Sequence, residues 1–164
     1  FDIVRIGISA YGFWPSKPTY VSYIEQGKPK LELKPVLSWY SHVAQVKELA
    51  QGDPVGYGLT YTAFSDSRLI VVPVGYYDGY DRKLSNVSAI LVNGIKAPVR
   101  GRICMNMFMA EVTHIPEVKA GDRVTLVGGN SMEQVTVDHL ADLAGTINYE
   151  MVARINPLIP RIVV

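Results

Sequence analysis

Short runs of apolar and alternating residues, separated by turn signals, predict a chain made mostly of strands. Residues 34–49 are rich in β-branched and aromatic side chains, and residues 68–74 form an apolar run of strand length. Pro73 puts that run at a sheet edge or at a strand end, because proline cannot donate to a ladder. Residues 103–112 alternate as a strand does, with three methionines on one face.

Turn signals between these runs predict how the strands are connected. Asn93-Gly94 separates two apolar runs within residues 89–99 and predicts a hairpin, since both central positions of a type I′ turn need positive φ. Gly-Asp turns within residues 51–55 and 120–124 each lead into a predicted strand. Short strands with regular turns favour a β-barrel or a β-sandwich.

A helix is predicted near the end of the chain. Residues 137–144 carry an apolar face, with Thr136 as the N-cap and Gly145 as the stop signal. A second short helix is expected within residues 146–155, with Thr146 or Asn148 as its cap.

Both ends of the chain are predicted to be extended. Pro157 and Pro160 end the helical structure, and residues 161–164 are expected to close the chain as a strand. Residues 1–12 have the pattern of a hydrophobic strand that runs into a glycine-containing loop, and residues 13–33 that of a linker. Because the chain starts with phenylalanine, directly in an apolar run, we expect residues 1–12 to belong to a preceding domain of a longer protein.

The composition is that of a folded globular protein. Hydrophobic residues make up 48% and charged residues 19% of the 164 residues, and 16 basic against 15 acidic residues give a net charge of +1. This balance favours neither nucleic acid nor a membrane as a partner, and no apolar run is long enough to span a bilayer. The single cysteine, Cys104, excludes an intrachain disulfide and favours a reducing, cytoplasmic compartment.

Motifs for metal or nucleotide binding are missing from the sequence. The three histidines, His42, His114 and His139, are far apart and lack ligand spacing, so no metal site is predicted. Neither a Walker loop nor a dinucleotide fingerprint appears. Cys104 lies between apolar residues in a predicted strand and is expected to be buried and inert.

Tyrosines beside glycines are the most unusual local feature. The chain has 10 tyrosines against 4 phenylalanines, and Tyr57 stands between Gly56 and Gly58. Glycines on both sides of a phenol indicate a turn, or a close approach by another chain or a ligand. Tyrosines at barrel edges, with one end in water, are the alternative explanation for any single one of them.

Several ordered motifs extend this feature and together resemble the C-terminal part of bacterial alanine racemase, a pyridoxal-phosphate enzyme. They run from residue 5 to residue 161 and so cover nearly the whole chain. Such an ordered set is far more specific than a single fingerprint. The motifs are RIGISAYG (5–12), LKPVLSW (33–39), VGYGLTYTA (55–63), PVGYYDGYDR (73–82), NGIKAPVRGRICMNMFM (93–109), GTINYE (145–150) and RINPLIPR (154–161).

The resemblance implies a mainly β fold, a Greek-key-like β-barrel domain with a short C-terminal helical insertion, over residues 34–164. Residues 1–12 resemble the last strand and the following loop of a preceding TIM-like barrel that binds pyridoxal phosphate, and residues 13–33 form the linker. The family is homodimeric, and each active site combines the TIM-like barrel of one subunit with the β-domain of the other. The cofactor is bound through a barrel lysine that has no counterpart in this chain.

The resemblance assigns the catalytic role in this chain to Tyr57. Racemisation removes a proton from one face of Cα and delivers one to the other face, so two acid–base groups are expected. In the family these are the cofactor lysine and a tyrosine, and Tyr57 occupies the place of the tyrosine that takes the α-proton of L-alanine. A free phenol titrates near pH ~10, so its surroundings must favour the phenolate.

Four residues match cofactor-binding positions of the family. Arg5 matches the arginine that hydrogen-bonds the pyridine nitrogen, which stays unprotonated because arginine keeps its proton. Gly7 and Ile8 match positions whose backbone N–H groups hold the phosphate. Tyr149 matches a tyrosine that binds the phosphate and narrows the entrance of the site.

The remaining matches concern the substrate. Met105 matches a residue whose backbone N–H binds the substrate carboxylate. The corridor to the site carries positive charge, which suits a carboxylate, and its matching residues are Tyr76, Arg82, Arg102 and Ile147. Two positions depart from the family pattern, because Tyr77 stands where a small residue is usual and Asn106 where aspartate is common.

We therefore expect part of a pyridoxal-phosphate-dependent alanine racemase, an isomerase that supplies D-alanine for peptidoglycan, with the isolated chain inactive. One alternative is a racemase of the same fold for serine or another small amino acid. Tyr149 favours alanine, because a bulky phenol at the entrance restricts the substrate side chain. The other alternative is a non-catalytic β-barrel binding module, which has no need of a phenol between glycines.

Overall fold

The computed structural model describes residues 2–130 and 132–164, and the chain divides into two compact units that meet between Leu37 and Ser38. The first unit contains a 3₁₀ turn, Ile8–Tyr11, and helix α1, Lys17–Glu25. The second unit contains the strands and the other helices.

Helix α1 lies in the segment predicted as a linker. Ser16 caps it, since the Ser16 side chain accepts the Thr19 N–H at 3.2 Å, and Pro18 lies in the first turn, where a missing N–H costs nothing. The Trp14 ring lies 5.2 Å from the ring of Tyr20 and supports the helix from its N-terminal side. The segment therefore contains a helix that its serine cap and its proline encode locally.

The strands predicted at the two ends of the chain are wrong. Phe1 lies outside the described residues, and residues 2–7 adopt no regular secondary structure. Residues 161–164 are exposed and also lie outside any strand. In both segments the apolar pattern is present, but no described strand pairs with it. A strand needs a neighbour to satisfy its backbone N–H and C=O groups.

The second unit is mainly β, and its described strand pairs are all antiparallel. One sheet has eight strands, and a separate hairpin has two. The hairpin consists of β3 (Pro54–Val55) and β4 (Tyr61–Thr62). The large sheet consists of β1 (Trp39–His42), β2 (Gln45–Leu49), β5 (Ser67–Val72), β6 (Ala89–Val92), β7 (Ile95–Arg100), β8 (Phe108–Glu111), β9 (Arg123–Gly129) and β10 (Gln134–Val135).

The large sheet curls into a barrel because the chain itself joins its two ends. Along the sheet the order is β1-β9-β6-β7-β8-β5-β2, with β10 beside β9. β1 and β2 are at opposite ends of this path, although only Val43 and Ala44 separate them in sequence. Val43 donates to the carbonyl of Asp122 at 2.9 Å, and Ala44 donates to that of Val71 at 2.8 Å. The predicted mainly β barrel class is thus confirmed.

Aromatic and aliphatic side chains fill the core of this unit. Tyr80 and Phe108 stack with ring centroids 4.8 Å apart, and Trp39 meets Tyr80 edge-on at 6.2 Å. Tyr80 is completely buried, and its hydroxyl lies 3.2 Å from Ser88 Oγ. Burial raises the pKa of Tyr80 from 10.0 to about 12, with the Ser88 hydrogen bond opposing the shift. Tyr80 follows a glycine as other tyrosines do, yet it is a core residue.

Within the sheet the predicted hairpin and the strand end at Pro73 are confirmed, whereas the strand predicted over residues 103–112 is only partly present. The hairpin is confirmed, because β6 and β7 flank Asn93 and Gly94, whose φ angles are +51° and +82°. Pro73 follows β5 directly, so the strand-end interpretation is confirmed, while β5 itself pairs on both sides. Of residues 103–112 only β8 is a strand, and the residues before it form a loop. This loop forms part of the site described below.

Two helices follow the last strand. Helix α2 (Val137–Ala144) confirms the first prediction, because Thr136 accepts the His139 N–H at 3.2 Å and Gly145 ends the helix at a φ of +66°. Helix α3 (Asn148–Ala153) is also present, but both predicted caps are wrong. Ile147 occupies the N-cap position without a side-chain cap, and the Thr146 hydroxyl donates instead to the Glu150 carboxylate.

Candidate active site

An open cleft of about 630 Å³ on the second unit collects most of the predicted site residues of that unit. Three loops build it, which we call the Tyr57 loop (residues 56–60), the Tyr76 turn (residues 75–79) and the Arg102 loop (residues 101–107). Arg82 lines it from a short 3₁₀ turn, Arg82–Leu84. The lining residues are Tyr57, Gly58, Tyr76, Arg82, Arg102, Ile103, Cys104, Met105, Asn106 and Met107.

Tyr57 lies in a turn rather than in a strand. The 3₁₀ turn Tyr57–Leu59 connects β3 to β4, and the backbone N–H of Leu59 donates to the Gly56 carbonyl at 3.2 Å. Gly56 and Gly58 have φ angles of +77° and +69°, which L side chains rarely adopt. The Tyr57 side chain is 75% exposed, so its hydroxyl is open to the space outside this unit.

The same two glycines permit the Arg102 loop to approach. A Cβ added at Gly56 would lie 3.0 Å from the backbone nitrogen of Arg102, and one at Gly58 would lie 3.1 Å from its Nη1. Both distances are shorter than ordinary van der Waals contact. The glycines predicted a turn, or a close approach by another chain or a ligand. Within this unit they form a turn, and the group that lies against them is an arginine from another loop.

The Tyr76 turn is fixed directly on the Arg102 loop. Tyr76 donates its backbone N–H to the carbonyl of Cys104 at 3.0 Å, and Tyr77 donates to that of Met105 at 2.9 Å. Gly75 lies so close that an added Cβ would overlap the carbonyl groups of Cys104 and Met105. Asp78 closes the turn by accepting the Gly75 N–H at 2.9 Å. The backbone position of Met105 is therefore set by this turn.

Met105 and Cys104 present different groups to the cleft. The Met105 side chain is exposed, and its backbone N–H donates to no acceptor in residues 2–130 and 132–164. Cys104 is half-buried and lines the cleft, with its Sγ 3.6 Å from the Arg102 carbonyl. The expected full burial of Cys104 is therefore wrong, because the segment around it is a loop and not an interior strand.

Positive charge dominates the cleft. Arg82 and Arg102 line it, and no aspartate or glutamate is among its described lining residues. A neighbouring hollow of about 390 Å³ shares Tyr76 and Arg82 with the cleft. There Asp81 already pairs with Arg154 at 2.9 Å, and Asp78 of the Tyr76 turn accepts the Gly75 N–H. The cleft therefore suits an anionic ligand such as a carboxylate.

Two side chains behind the cleft join its loops, and the sequence did not single them out. Ser85 Oγ accepts the backbone N–H of Ile103 at 3.0 Å. Asn86 Oδ1 accepts that of Gly101 at 2.6 Å, and Asn86 Nδ2 lies 3.3 Å from both oxygens of Thr60. Asn86 has a φ of +62°. The consecutive turn-forming residues Ser85 and Asn86 are the only sequence signal for this arrangement.

The other predicted residues lie elsewhere. Ile147 and Tyr149 are at the start of α3, 60% and 38% exposed, and are not among the described residues that line the cleft. Arg5, Gly7 and Ile8 belong to the first unit, where Gly7 precedes the 3₁₀ turn. The structure therefore brings together five of the predicted residues, which are Tyr57, Tyr76, Arg82, Arg102 and Met105.

Tyr61, just after the Tyr57 loop, has a different environment from Tyr57. The Arg100 guanidinium lies 4.9 Å from the Tyr61 ring centroid, and Glu111 accepts from Arg100 Nε at 2.8 Å. Partial burial raises the pKa of Tyr61, Arg100 lowers it, and Glu111 raises it again. Tyr61 is thus part of a packed polar cluster and does not line the cleft as described.

The described residues contain neither a cluster of metal ligands nor a membrane-spanning helix. No group of three or more histidine, cysteine, aspartate or glutamate side chains there could hold a metal ion. No helix there is long and apolar enough to cross a membrane.

Both the sequence and the fold are similar to those of known alanine racemases. A family profile for the alanine racemase C-terminal domain matches residues 36–163. The alanine racemase of Leptospira interrogans is 48% identical over 164 residues, which is 100% of this chain and 42% of that protein. The chain thus spans less than half the length of the curated relatives that it matches.

Solved structures give the same result. The alanine racemase from Bacillus anthracis with bound L-Ala-P has a TM-score of 0.82 at 37% identity, covering 95% of this chain and 38% of that one. The alanine racemase from Bartonella henselae with covalently bound pyridoxal phosphate has a TM-score of 0.76 at 28% identity, covering 91% of this chain and 38% of that one. The similarity therefore extends over nearly all of this chain in sequence and in fold.

Proposed function

The chain belongs to the alanine racemase C-terminal domain family, and we propose that it forms the β-domain side of the active site in a longer enzyme that interconverts L-alanine and D-alanine. The observation that carries the proposal is the meeting of an exposed phenol, two arginines and a free backbone N–H at one cleft. Since the chain spans 42% of its Leptospira relative, we assign the cofactor lysine to the part of the enzyme outside this chain.

Tyr57 is the acid–base group for one face of the substrate. Its side chain stands in solvent at the tip of a hairpin, where it can meet a Cα–H that is presented from outside this unit. We assign to its phenolate the removal of the α-proton of L-alanine, and to its phenol the return of a proton to the same face in the opposite direction. The opposite face is served by the cofactor lysine.

The substrate carboxylate is bound by Met105 and its surroundings. The Met105 N–H is a donor without an acceptor among the described residues, and the Tyr76 turn fixes its position. Arg82 and Arg102 give the cleft the charge that draws in an amino acid by its carboxylate. Ile147 completes the corridor in this proposal.

The residues proposed to hold pyridoxal phosphate fit that group in their chemistry. The backbone N–H groups of Gly7 and Ile8 have no acceptor in the described part of the chain, so they are available to a phosphate, which needs such donors. Arg5 is exposed and has no ion-pair partner there, so its guanidinium can donate to a ring nitrogen. Tyr149 offers a phenol to the phosphate. When bound, the cofactor draws electrons from Cα and makes its proton more acidic.

The proposal extends to the setting of the enzyme. We propose a cytoplasmic homodimer in which the β-domain of one subunit completes the site of the other, and whose D-alanine is used for peptidoglycan. The single cysteine suits a reducing compartment. The two alternatives from the sequence, a serine racemase and a non-catalytic module, have less support, because the similar proteins are named alanine racemase.

A substrate panel on the full-length protein that carries this chain tests the function. With pyridoxal phosphate added, L-alanine and L-serine are supplied separately and their D-isomers are measured by chiral chromatography. We expect D-alanine to form faster, and the 164-residue chain alone to form neither product. A preference for serine, or normal turnover by the isolated chain, contradicts the proposal.

A further inference from the structure

We propose that Ser85 and Asn86 form a clamp that positions Tyr57 relative to the Arg102 loop and thereby sets the rate of proton transfer at Tyr57. The inference rests on the proposed function for the role of Tyr57. Neither Ser85 nor Asn86 is among the described residues that line the cleft. Both act from behind its wall, and we call them positioning residues.

Ser85 and Asn86 hold the Arg102 loop on both sides of its arginine. Ser85 Oγ accepts the N–H of the residue after Arg102 at 3.0 Å, and Asn86 Oδ1 accepts that of the residue before it at 2.6 Å. Ser85 also donates its hydroxyl to the carbonyl of Arg82. Two adjacent side chains therefore fix the backbone of both arginines of the cleft.

Asn86 then connects this loop to the Tyr57 loop. Its Nδ2 lies 3.3 Å from the carbonyl oxygen and 3.3 Å from the hydroxyl oxygen of Thr60, the residue that ends the turn of Tyr57. One amide therefore accepts from the Arg102 loop through its oxygen and donates to the Tyr57 loop through its nitrogen. An aspartate at this position would keep the acceptor and lose the donor.

The clamp residues are flanked by residues that are buried in the core of the second unit. Leu84, just before the clamp, is fully buried. Ser88, two residues after it, is also buried. It donates its hydroxyl to the Leu84 carbonyl at 2.9 Å, and its own carbonyl accepts the Val99 N–H on β7 at 2.9 Å. The loops of the cleft are thus attached to the barrel at this segment. Proton transfer depends steeply on distance, and an error of 1 Å in a reacting group costs about 10²-fold in rate.

The variants are chosen to separate hydrogen bonding from backbone strain. Asn86 has a φ of +62°, so Asn86→Gly removes the side-chain hydrogen bonds to Gly101 and Thr60 while suiting that conformation. Asn86→Asp keeps the acceptor for Gly101 and loses the donor to Thr60. Ser85→Ala removes the acceptor for Ile103, and Ser85→Thr restores a hydroxyl and should rescue activity.

Asn93→Gly is the matched control. Asn93 also has a positive φ, +51°, and its Nδ2 also connects two segments, donating to Asp122 at 3.0 Å. It lies in the turn between β6 and β7 and is not among the described lining residues of the cleft. Asn93→Gly also loses a side-chain hydrogen bond at a positive-φ position, and it should keep wild-type turnover.

The experiment measures alanine racemisation by the full-length enzyme, with the deuterium isotope effect at Cα in each direction. We expect Asn86→Gly and Asn86→Asp to lower kcat by about 10–100-fold. Tyr57 removes the α-proton of L-alanine, whereas the cofactor lysine removes that of D-alanine. The isotope effect on kcat/KM should therefore rise for L-alanine and not for D-alanine. The proposal is overturned if the isotope effect changes equally for L-alanine and D-alanine, or if both Asn86 variants keep the wild-type kcat.

A second readout does not depend on activity. Hydrogen exchange at the Gly101 amide, measured by mass spectrometry on the full-length protein, should become about 10-fold faster in Asn86→Gly and stay unchanged in Asn93→Gly. Unchanged exchange at Gly101 overturns the clamp itself. If the clamp is seen by exchange but the wild-type enzyme does not racemise alanine, the proposed function has failed and the proposed effect on proton transfer is overturned with it.

Discussion

The guanidinium of Arg102 lies against Gly58, where an added Cβ would stand 3.1 Å from Nη1. The residue next to the proposed base therefore supports an arginine of the cleft. A side chain at Gly58 would strain this positive-φ turn and push the Arg102 guanidinium away by a few tenths of an ångström. The Gly-Tyr-Gly sequence thus serves the turn and the packing of a second loop at the same time.

Gly58→Ala should impair the cleft more than the fold. Gly58 has a φ of +69°, so alanine costs about 1–2 kcal/mol of backbone strain, and it also pushes the Arg102 guanidinium aside. We expect kcat/KM for alanine to fall about tenfold, which corresponds to about 1.4 kcal/mol of transition-state stabilisation. Steady-state kinetics on the full-length enzyme measure this.

Gly52→Ala is the control for Gly58→Ala. Gly52 has a φ of +91°, and a Cβ there would meet no atom within 4 Å. It should share the loss in unfolding free energy and keep wild-type kcat/KM. If both variants lose activity to the same extent, the contact with Arg102 has no functional role.

Gly75→Ala tests the attachment of the Tyr76 turn to the Arg102 loop. Gly75 has an extended backbone, with φ of −149°, so alanine adds no conformational strain, but its Cβ would overlap the carbonyls of Cys104 and Met105. Overpacking of this kind costs about 1–3 kcal/mol. It should also move the Met105 N–H and raise KM for alanine.

Gly121→Ala provides the comparison for Gly75→Ala. It has a φ of +90° and no atom within 4 Å of an added Cβ. It should lower the melting temperature through strain alone and leave KM unchanged. An unchanged KM in Gly75→Ala would mean that the turn does not position Met105.

The sequence predicted the parts of this fold that depend on neighbouring residues. Asn93 and Gly94 encode their own turn through positive φ, and Thr136 and Gly145 encode both ends of α2. The terminal strands failed because a strand is completed by a partner that its own residues do not specify. For the same reason the alternation of residues 103–112 did not reveal that its first half is a loop.

In the site, too, the sequence predicted local features but not the contacts between distant loops. The glycines around Tyr57 indicated a turn or a close approach, but they did not predict that Arg102 is the neighbour. Tyr57 and Tyr80 each lie beside a glycine, and one is 75% exposed whereas the other is completely buried. Ser85 and Asn86 carry no signal of their own beyond turn preference, because their role comes from the loops that reach them.

Tyr80 should make the second unit sensitive to alkaline pH. Its pKa is raised to about 12 in the folded chain, against 10.0 for a free phenol. Below pH 10 both states hold the proton, and as pH rises towards 12 the unfolded state loses it first, so the free energy of unfolding falls. The raised pKa corresponds to roughly 3 kcal/mol of unfolding free energy lost over this window.

Urea unfolding of the 164-residue chain between pH 9 and pH 12 measures this effect. Tyr80→Phe should cost about 1 kcal/mol at neutral pH through the lost Ser88 hydrogen bond and flatten the alkaline decline. Tyr77→Phe, which changes an exposed tyrosine, should keep the decline of the wild type. An equally steep decline in Tyr80→Phe would assign the alkaline effect to other groups.

Tyr57→Phe in the full-length enzyme tests the proposed role of this phenol, with alanine racemisation measured in both directions. Removing the acid–base group should lower kcat by about 10²–10⁴-fold, while the absorbance of bound pyridoxal phosphate and the melting temperature stay as in the wild type. Tyr40→Phe, at a half-exposed tyrosine of β1, should keep full activity. Wild-type turnover in Tyr57→Phe would show that this phenol does not carry the proton.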